Sequence, residues 1–179
     1  MPTRLLFCTL FGGLLFLNAC RTDNEWDTSS TPYEPIYNAD PNTKLVRFLP
    51  PRITVHGGNL YIAGNYVLEE EKDSGLHVIS YQDAANPKKL AFISIPGFRA
   101  AAIKGDYLYV SNYDDLVTIH LNSFNNMQEA GRISQAWHLN DYPPFMGVLF
   151  ICADTTKGTI VAWRLNENIP GTSAKCRRQ

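Results

Sequence analysis

Gly64-Asn65-Tyr66-Val67-Leu68 and Gly105-Asp106-Tyr107-Leu108-Tyr109 are one pattern written twice, 41 residues apart. Downstream, Leu76-His77-Val78-Ile79-Ser80-Tyr81 returns as Leu116-Val117-Thr118-Ile119-His120-Leu121 at a spacing of 40, with Gly75 lacking a counterpart. A weaker third copy follows in Val148-Leu149-Phe150-Ile151 and Thr159-Ile160-Val161-Ala162-Trp163. Short alternating strands repeating every ~40–50 residues are the signature of β-propeller blades. The expected fold class is therefore all-β, with propeller-like four-stranded antiparallel blades, two complete and one partial.

Working outward from the repeats, strands are predicted at 59–63, 66–70, 76–81 and 90–95 in the first unit. In the second they fall at 100–104, 107–113, 116–121 and 130–134. Each carries β-branched or aromatic residues and is bounded by breakers such as Gly57-Gly58, Ala85-Asn86-Pro87, Pro96-Gly97 and Asp114-Asp115. Aligning the units places His77, Ile79 and Tyr81 with Val117, Ile119 and Leu121 on one face of the third strand. Leu76 and Val78 match Leu116 and Thr118 on the other. A strand apolar on both faces is expected between two neighbouring sheets.

The N-terminal twenty residues read differently. Arg4 precedes an apolar run from Leu5 to Leu17, too short for a membrane-spanning helix, which needs ~20 residues. A charged start, a short apolar core and small residues before a cut site describe a signal peptide over residues 1–19. Leu17-Asn18-Ala19-Cys20 resembles a bacterial lipobox, which implies acylation of Cys20 (palmitate among the chains) and attachment to a membrane through lipid. Residues 20–44 are polar and turn-forming and read as a flexible tether. Asp23, Glu25 and Asp27 resemble a surface-export signal, and read equally as a solvated linker. Removing the signal takes away Arg4 and no acid, leaving a faintly acidic chain with no electrostatic footprint for nucleic acid. Cys152 and Cys176 then remain outside the cytoplasm, where a disulfide persists. Two readings stay open for them: a bridge stapling the C-terminus to the last sheet, or a small buried residue and a free tail thiol.

Leu76-His77-Val78-Ile79, Asn86-Pro87-Lys88-Lys89-Leu90 and the Gly-Asp-Tyr-Leu-Tyr-Val block at 105–110 resemble LVIVD-repeat proteins. The resemblance spans roughly 45–165 and implies a propeller lipoprotein of Bacteroidetes type, anchored in the outer membrane and exposed at the cell surface. It implies no chemistry. Ser80 and His120 stand where the family places Asp, and Met127 where it places Pro.

A closed propeller takes at least four blades. Residues 45–165 hold two units and part of a third, with a degenerate first strand near 136–139 and no fourth, before a tail over 166–179. Truncation, an open wedge, or a homo-oligomer completing the ring are the three readings. The apolar last unit favours the first or third, since open apolar faces and edges aggregate.

No catalytic constellation, metal-ligand spacing, phosphate loop or cofactor motif is present in the sequence. His77 and His120 are expected as structural strand residues and His56 as a turn feature. Glu69-Glu70-Glu71 with Asp73 is expected as a solvated loop rather than a Ca²⁺ site, and Asp114-Asp115 as a tight turn. Trp137, His138, Tyr142 and Phe145 are candidates for stacking on a sugar or peptide, and equally for covering the edge of the third sheet. The expected function is a lipid-anchored, non-catalytic binding or scaffold protein with a protein or glycan ligand. Its competitors are a glycan-active enzyme or subunit, and a remnant of a longer propeller.

Overall fold

The computed structural model describes residues 31–121, 127–138 and 140–178. The signal segment, Cys20 and the acidic stretch after it lie outside the described residues. Each of the first two repeats folds into an antiparallel sheet in chain order. β3 (Gly57–Ala63), β4 (Tyr66–Glu71), β5 (Gly75–Ser80) and β6 (Lys88–Ser94) form the first, with β2 (Arg47–Leu49) added beside β6. β7 (Ala101–Lys104), β8 (Tyr107–Asn112), β9 (Asp115–His120) and β10 (Gln128–Ile133) form the second. The strands predicted in these two units all exist, with ends shifted by at most two residues, whereas the degenerate strand expected near 136–139 is not formed over the described residues 136–138. Gly64 and Gly105 sit at φ +56° and +57° in two-residue hairpins, which need a positive φ to match the twist of the flanking strands.

The repeat extends to individual backbone bonds. Tyr81 N–H donates to Asn65 O as Leu121 N–H donates to Asp106 O, and Lys72 N–H to His56 O as Tyr113 N–H to Gly97 O. The one-residue difference in spacing lies in the second turn: Lys72-Asp73-Ser74 links β4 to β5, whereas Tyr113-Asp114 links β8 to β9. Gly75 therefore has a counterpart, Asp115, which opens β9 as Gly75 opens β5.

The two sheets share one core, and they meet through opposite faces. The first contributes Leu68, Leu76, Val78 and Ile93; the second contributes Leu108, Val110, Val117 and Ile119. In the repeat alignment Leu76 and Val78 match Leu116 and Thr118, not Val117 and Ile119. The back of one sheet thus packs on the front of the next, so the third strand must be apolar on both sides. Burying each such side chain contributes ~1.5–3 kcal/mol. Met127, in the place where a proline is expected, is also buried in this core.

The third sheet departs from expectation. Its order is β12 (Thr159–Leu165), β1 (Tyr33–Asn38), β11 (Leu149–Phe150), β13 (Cys176–Arg177). Val148–Ile151 and Thr159–Trp163 do not form a hairpin; β1 lies between them, antiparallel to β12 and parallel to β11. The segment read as tether therefore contains a strand. Pro35 hid it, since proline is foreign to a central strand. Here β11 pairs with β1 only at Tyr33↔Phe150, so at Pro35 the missing N–H faces no second neighbour. After β1 the chain makes a 3-10 turn (Pro41–Lys44), buries Val46 in the two-sheet core and enters β2. Residues 33–49 thus touch all three sheets.

The tail is also structured. Cys152 and Cys176 are bonded, their Cα atoms 5.2 Å apart, so the stapling alternative is the one realised. All three sheets are open. No helix among the described residues is long and apolar enough to cross a membrane.

Candidate ligand-binding cleft

Acidic residues expected in solvent turn out to organise the loops. Glu69, Glu70 and Glu71 belong to β4, not to a loop, and Glu70 and Glu71 are buried. Each carboxylate is taken by protein donors. Glu69 accepts from Thr54 Oγ1 at 2.8 Å and pairs with Lys89, and Glu70 accepts from the backbone N–H of Asn59 at 3.0 Å. Glu71 accepts from Val55 N–H at 2.9 Å, His56 N–H at 2.6 Å and His77 Nε2 at 3.0 Å. Burial pushes the Glu71 carboxyl up, but the His77 and backbone hydrogen bonds outweigh it and bring its pKa down to about 2.

The second unit performs the same task with neutral groups. Ser111 Oγ accepts from Arg99 N–H and Ala100 N–H at 2.9 and 3.0 Å, the latter bond matching Glu70 with Asn59. Asn112 Nδ2 donates to Pro96 O at 2.6 Å. Of the Asp114-Asp115 pair, Asp114 lies in the turn and Asp115 is a buried strand residue. Lys44 Nζ, Arg132 Nη1 and Gln135 N–H satisfy Asp115 at 2.8, 2.8 and 3.1 Å. The Ser111 and Asn112 bonds anchor the 96–100 turn, which carries Arg99.

An open cleft of about 380 Å³ lies where this turn end meets the third sheet. Arg99, Tyr113 and Asp73 border it on one side; Asn140, Pro144 and Ile160–Trp163 border it on the other. Its polar wall is preorganised. Asn140 N–H donates to Asp114 Oδ1 at 3.3 Å, Trp163 Nε1 donates to Asn140 O at 2.9 Å, and Arg99 Nη2 donates to Asn140 Oδ1 at 2.9 Å. That last bond fixes the Asn140 amide with Nδ2 as its free end. Asn140 is only 5% exposed, and its Nδ2 has no hydrogen-bond partner among the described residues. Arg99 is exposed and makes no ion pair among the described residues. Burial raises the pKa of the Asp114 carboxyl. It also raises that of the Tyr113 phenol, with help from the Asp73 charge. Tyr113 is thereby kept a neutral hydroxyl. Arg99, the Tyr113 hydroxyl and Asn140 Nδ2 offer donors to an anionic or carboxylate group beside an apolar wall, with Asp73 the acid on the same border.

The sequence-predicted aromatics separate. Phe145 packs on Tyr33 of β1 with ring centroids 5.2 Å apart, and Tyr142 lies edge-on to Phe150 of β11 at 6.0 Å. Arg178 stands over Tyr142 and donates to Pro143 O. Both rings cover the third sheet. Trp137 is exposed, with its backbone N–H on Asp114 O, and His138 Nδ1 lies 2.8 Å from Asp141. The four do not converge on one platform. His77 is fully buried in β5 and His120 stacks on Tyr107 in β9, as structural residues would; His56 is exposed beside β3. Among the described residues no cluster of His, Cys, Asp or Glu is placed to hold a metal ion.

Arg99, Tyr113, Asn140 and Trp163 carry no motif, and sequence reading misses them. The one local signal is an arginine two residues after the Pro96-Gly97 turn. Gly97 has φ +68°, and a side chain there would run into the Tyr113 ring. Comparison with protein-family models, curated proteins and solved structures gives no match.

Proposed function

We propose that the chain is a lipid-anchored binding protein of the bacterial cell envelope. It is built from LVIVD-type propeller repeats and captures a carboxylate-bearing ligand in the Arg99–Asn140 cleft. The observation that carries the binding reading is the pairing of a guanidinium that makes no ion pair among the described residues with a buried amide whose Nδ2 lacks a partner among them, both bordering one cleft. Buried polar groups without partners are rare enough to need a reason, and a bound ligand supplies one. The lipobox-like Leu17–Cys20 supports the anchor and the outer-membrane, surface-facing location. The Cys152–Cys176 bond suits an oxidising compartment. The front-to-back stacking of the first two sheets supports the propeller reading, and the open third sheet leaves room for a ring completed by further copies.

The binding test is calorimetric titration of the full chain, extracted in detergent, with acidic and neutral glycans and peptides. Acidic members are expected to bind and neutral ones not. Arg99→Ala removes charge-assisted hydrogen bonds worth ~1.5–3 kcal/mol, so it weakens binding ten-fold or more, and it lowers the melting temperature because the buried Asn140 Oδ1 loses its donor; Arg99→Lys, which keeps the charge, is expected to recover part of the binding. Turnover of a bound glycan or peptide, or binding indifferent to Arg99, contradicts the proposal.

A further inference from the structure

Two opposite charges border one side of the cleft without meeting. Asp73 and Arg99 form no ion pair with each other, and neither has another ionic partner among the described residues. Each is held separately. Asp73 O accepts from Gly97 N–H at 3.0 Å, whereas Arg99 N–H donates to Ser111 Oγ at 2.9 Å and its guanidinium is engaged by Asn140 Oδ1 at 2.9 Å. Tyr113 stands on the acid's side: its ring lies against Gly97, and burial first, then the Asp73 charge, raise its phenol pKa. The backbone anchors of the two charges, Gly97 and Arg99, are two residues and so at most ~7 Å of chain apart. One border of the cleft therefore presents an acid and a hydroxyl at one end, and a guanidinium with the free Asn140 Nδ2 at the other.

We infer that the cleft takes a small zwitterion, an α-amino acid with an apolar side chain, which gives its carboxylate to Arg99 and Asn140 Nδ2 and its ammonium to Asp73. The inference rests on the carboxylate reading of the cleft and narrows it to one ligand class. A plain carboxylate placed on Arg99 also meets the charge of Asp73, and like charges repel. A ligand that carries an ammonium as well turns that repulsion into attraction, and it leaves neither border charge without a partner. An amino acid hangs both charges on one carbon, which suits two partners anchored so close together. The cleft, at about 380 Å³, lies near the lower end of the ~300–1,000 Å³ typical of small-molecule sites. Pro144 and residues 160–163 supply the wall for an apolar side chain, with the Trp163 indole already fixed by its hydrogen bond to Asn140 O.

The test is calorimetric titration of the full chain in detergent with three probes that share one phenyl body. They are L-phenylalanine, hydrocinnamate, which lacks the amine, and phenethylamine, which lacks the acid. The same trio built on leucine (leucine, isocaproate and isoamylamine) covers a poor fit of the ring. The amino acid of a trio is expected to bind about ten-fold tighter than its amine-free acid, and the acid-free amine more weakly than either. Asp73→Asn is expected to weaken the amino acid and to strengthen the amine-free acid, closing the gap, whereas a merely structural defect weakens both. Asparagine tolerates the left-handed backbone at position 73, where φ is +57°, so the turn survives the substitution. If the amine-free acid binds as tightly as the amino acid and Asp73→Asn alters neither, the zwitterion falls and the carboxylate reading stands. If neither acid of either trio binds, or all three probes bind alike, both fall. Comparison among probes leaves the protein unchanged, so folding defects do not enter it.

Discussion

Gly75→Ala is expected to unfold the first sheet under conditions where Gly64→Ala leaves it intact. Both glycines have positive φ, +138° and +56°. They differ in what surrounds them. A Cβ at Gly64 meets nothing within 4 Å, so the cost is the left-handed penalty of ~1–2 kcal/mol. A Cβ at Gly75 lies 1.9 Å from Ile93 O and 2.9 Å from Ile95 N, both backbone atoms of the neighbouring segment. Gly75 pairs with Glu71 on one side and Ser94 on the other, so relief requires breaking a ladder. Strain of ~1–3 kcal/mol for the backbone, with ~1–3 kcal/mol or more for overpacking, is a large part of the 5–15 kcal/mol that holds a typical domain folded. Urea unfolding followed by tryptophan fluorescence reads the difference directly. Equal midpoints for the two variants contradict this packing.

The second large effect is expected at Glu71. Glu71→Ala leaves His77 buried with both ring nitrogens unpaired, because Nδ1 already lacks a partner among the described residues, and it removes the acceptor of the Val55 and His56 amides. Leaving a buried polar group unsatisfied costs ~1–3 kcal/mol, and Glu71 serves three donors at once. The pH dependence has a definite sign. The folded pKa lies near 2, below the ordinary carboxylate value of 4.5. The ionised carboxylate therefore contributes its full stability above pH 4.5, and that contribution is lost as pH falls from 4.5 toward 2. Unfolding free energies measured across this window are expected to drop more steeply for the wild type than for Glu71→Gln, whose side chain does not titrate. Parallel curves argue against the buried acceptor role.

Local chemistry made the repeat legible. Gly64-Asn65 and Gly105-Asp106 are turn pairs flanked by alternating apolar residues, and both hairpins form where they stand. Long-range pairing explains what was missed. Tyr33–Asn38 becomes a strand because β12, more than 120 residues later in the chain, supplies its partner; its own composition, with Pro32 and Pro35, says linker. Glu69–Glu71 has the composition of a solvated run. Its burial follows from donors on Thr54–Asn59, which lie far enough away in sequence to leave no pattern. Arg99 and Asn140 meet only because the second and third sheets meet. Cys152 and Cys176 were visible as residues, while their pairing depended on whether β11 and β13 became neighbours, which the register Phe150↔Cys176 provides.

The cleft depends on β1. Without it β12 loses its one paired neighbour among the described residues, and with it the wall opposite Arg99. Amide hydrogen exchange over Tyr33–Asn38 in the full chain therefore tests the account most directly. The expected result is slow exchange at Glu34 and Ile36, whose N–H groups face β12, comparable to that of the paired amides of β12. Exchange at the rate of an unstructured tether throughout 33–38 would contradict the third sheet and the binding cleft built on it.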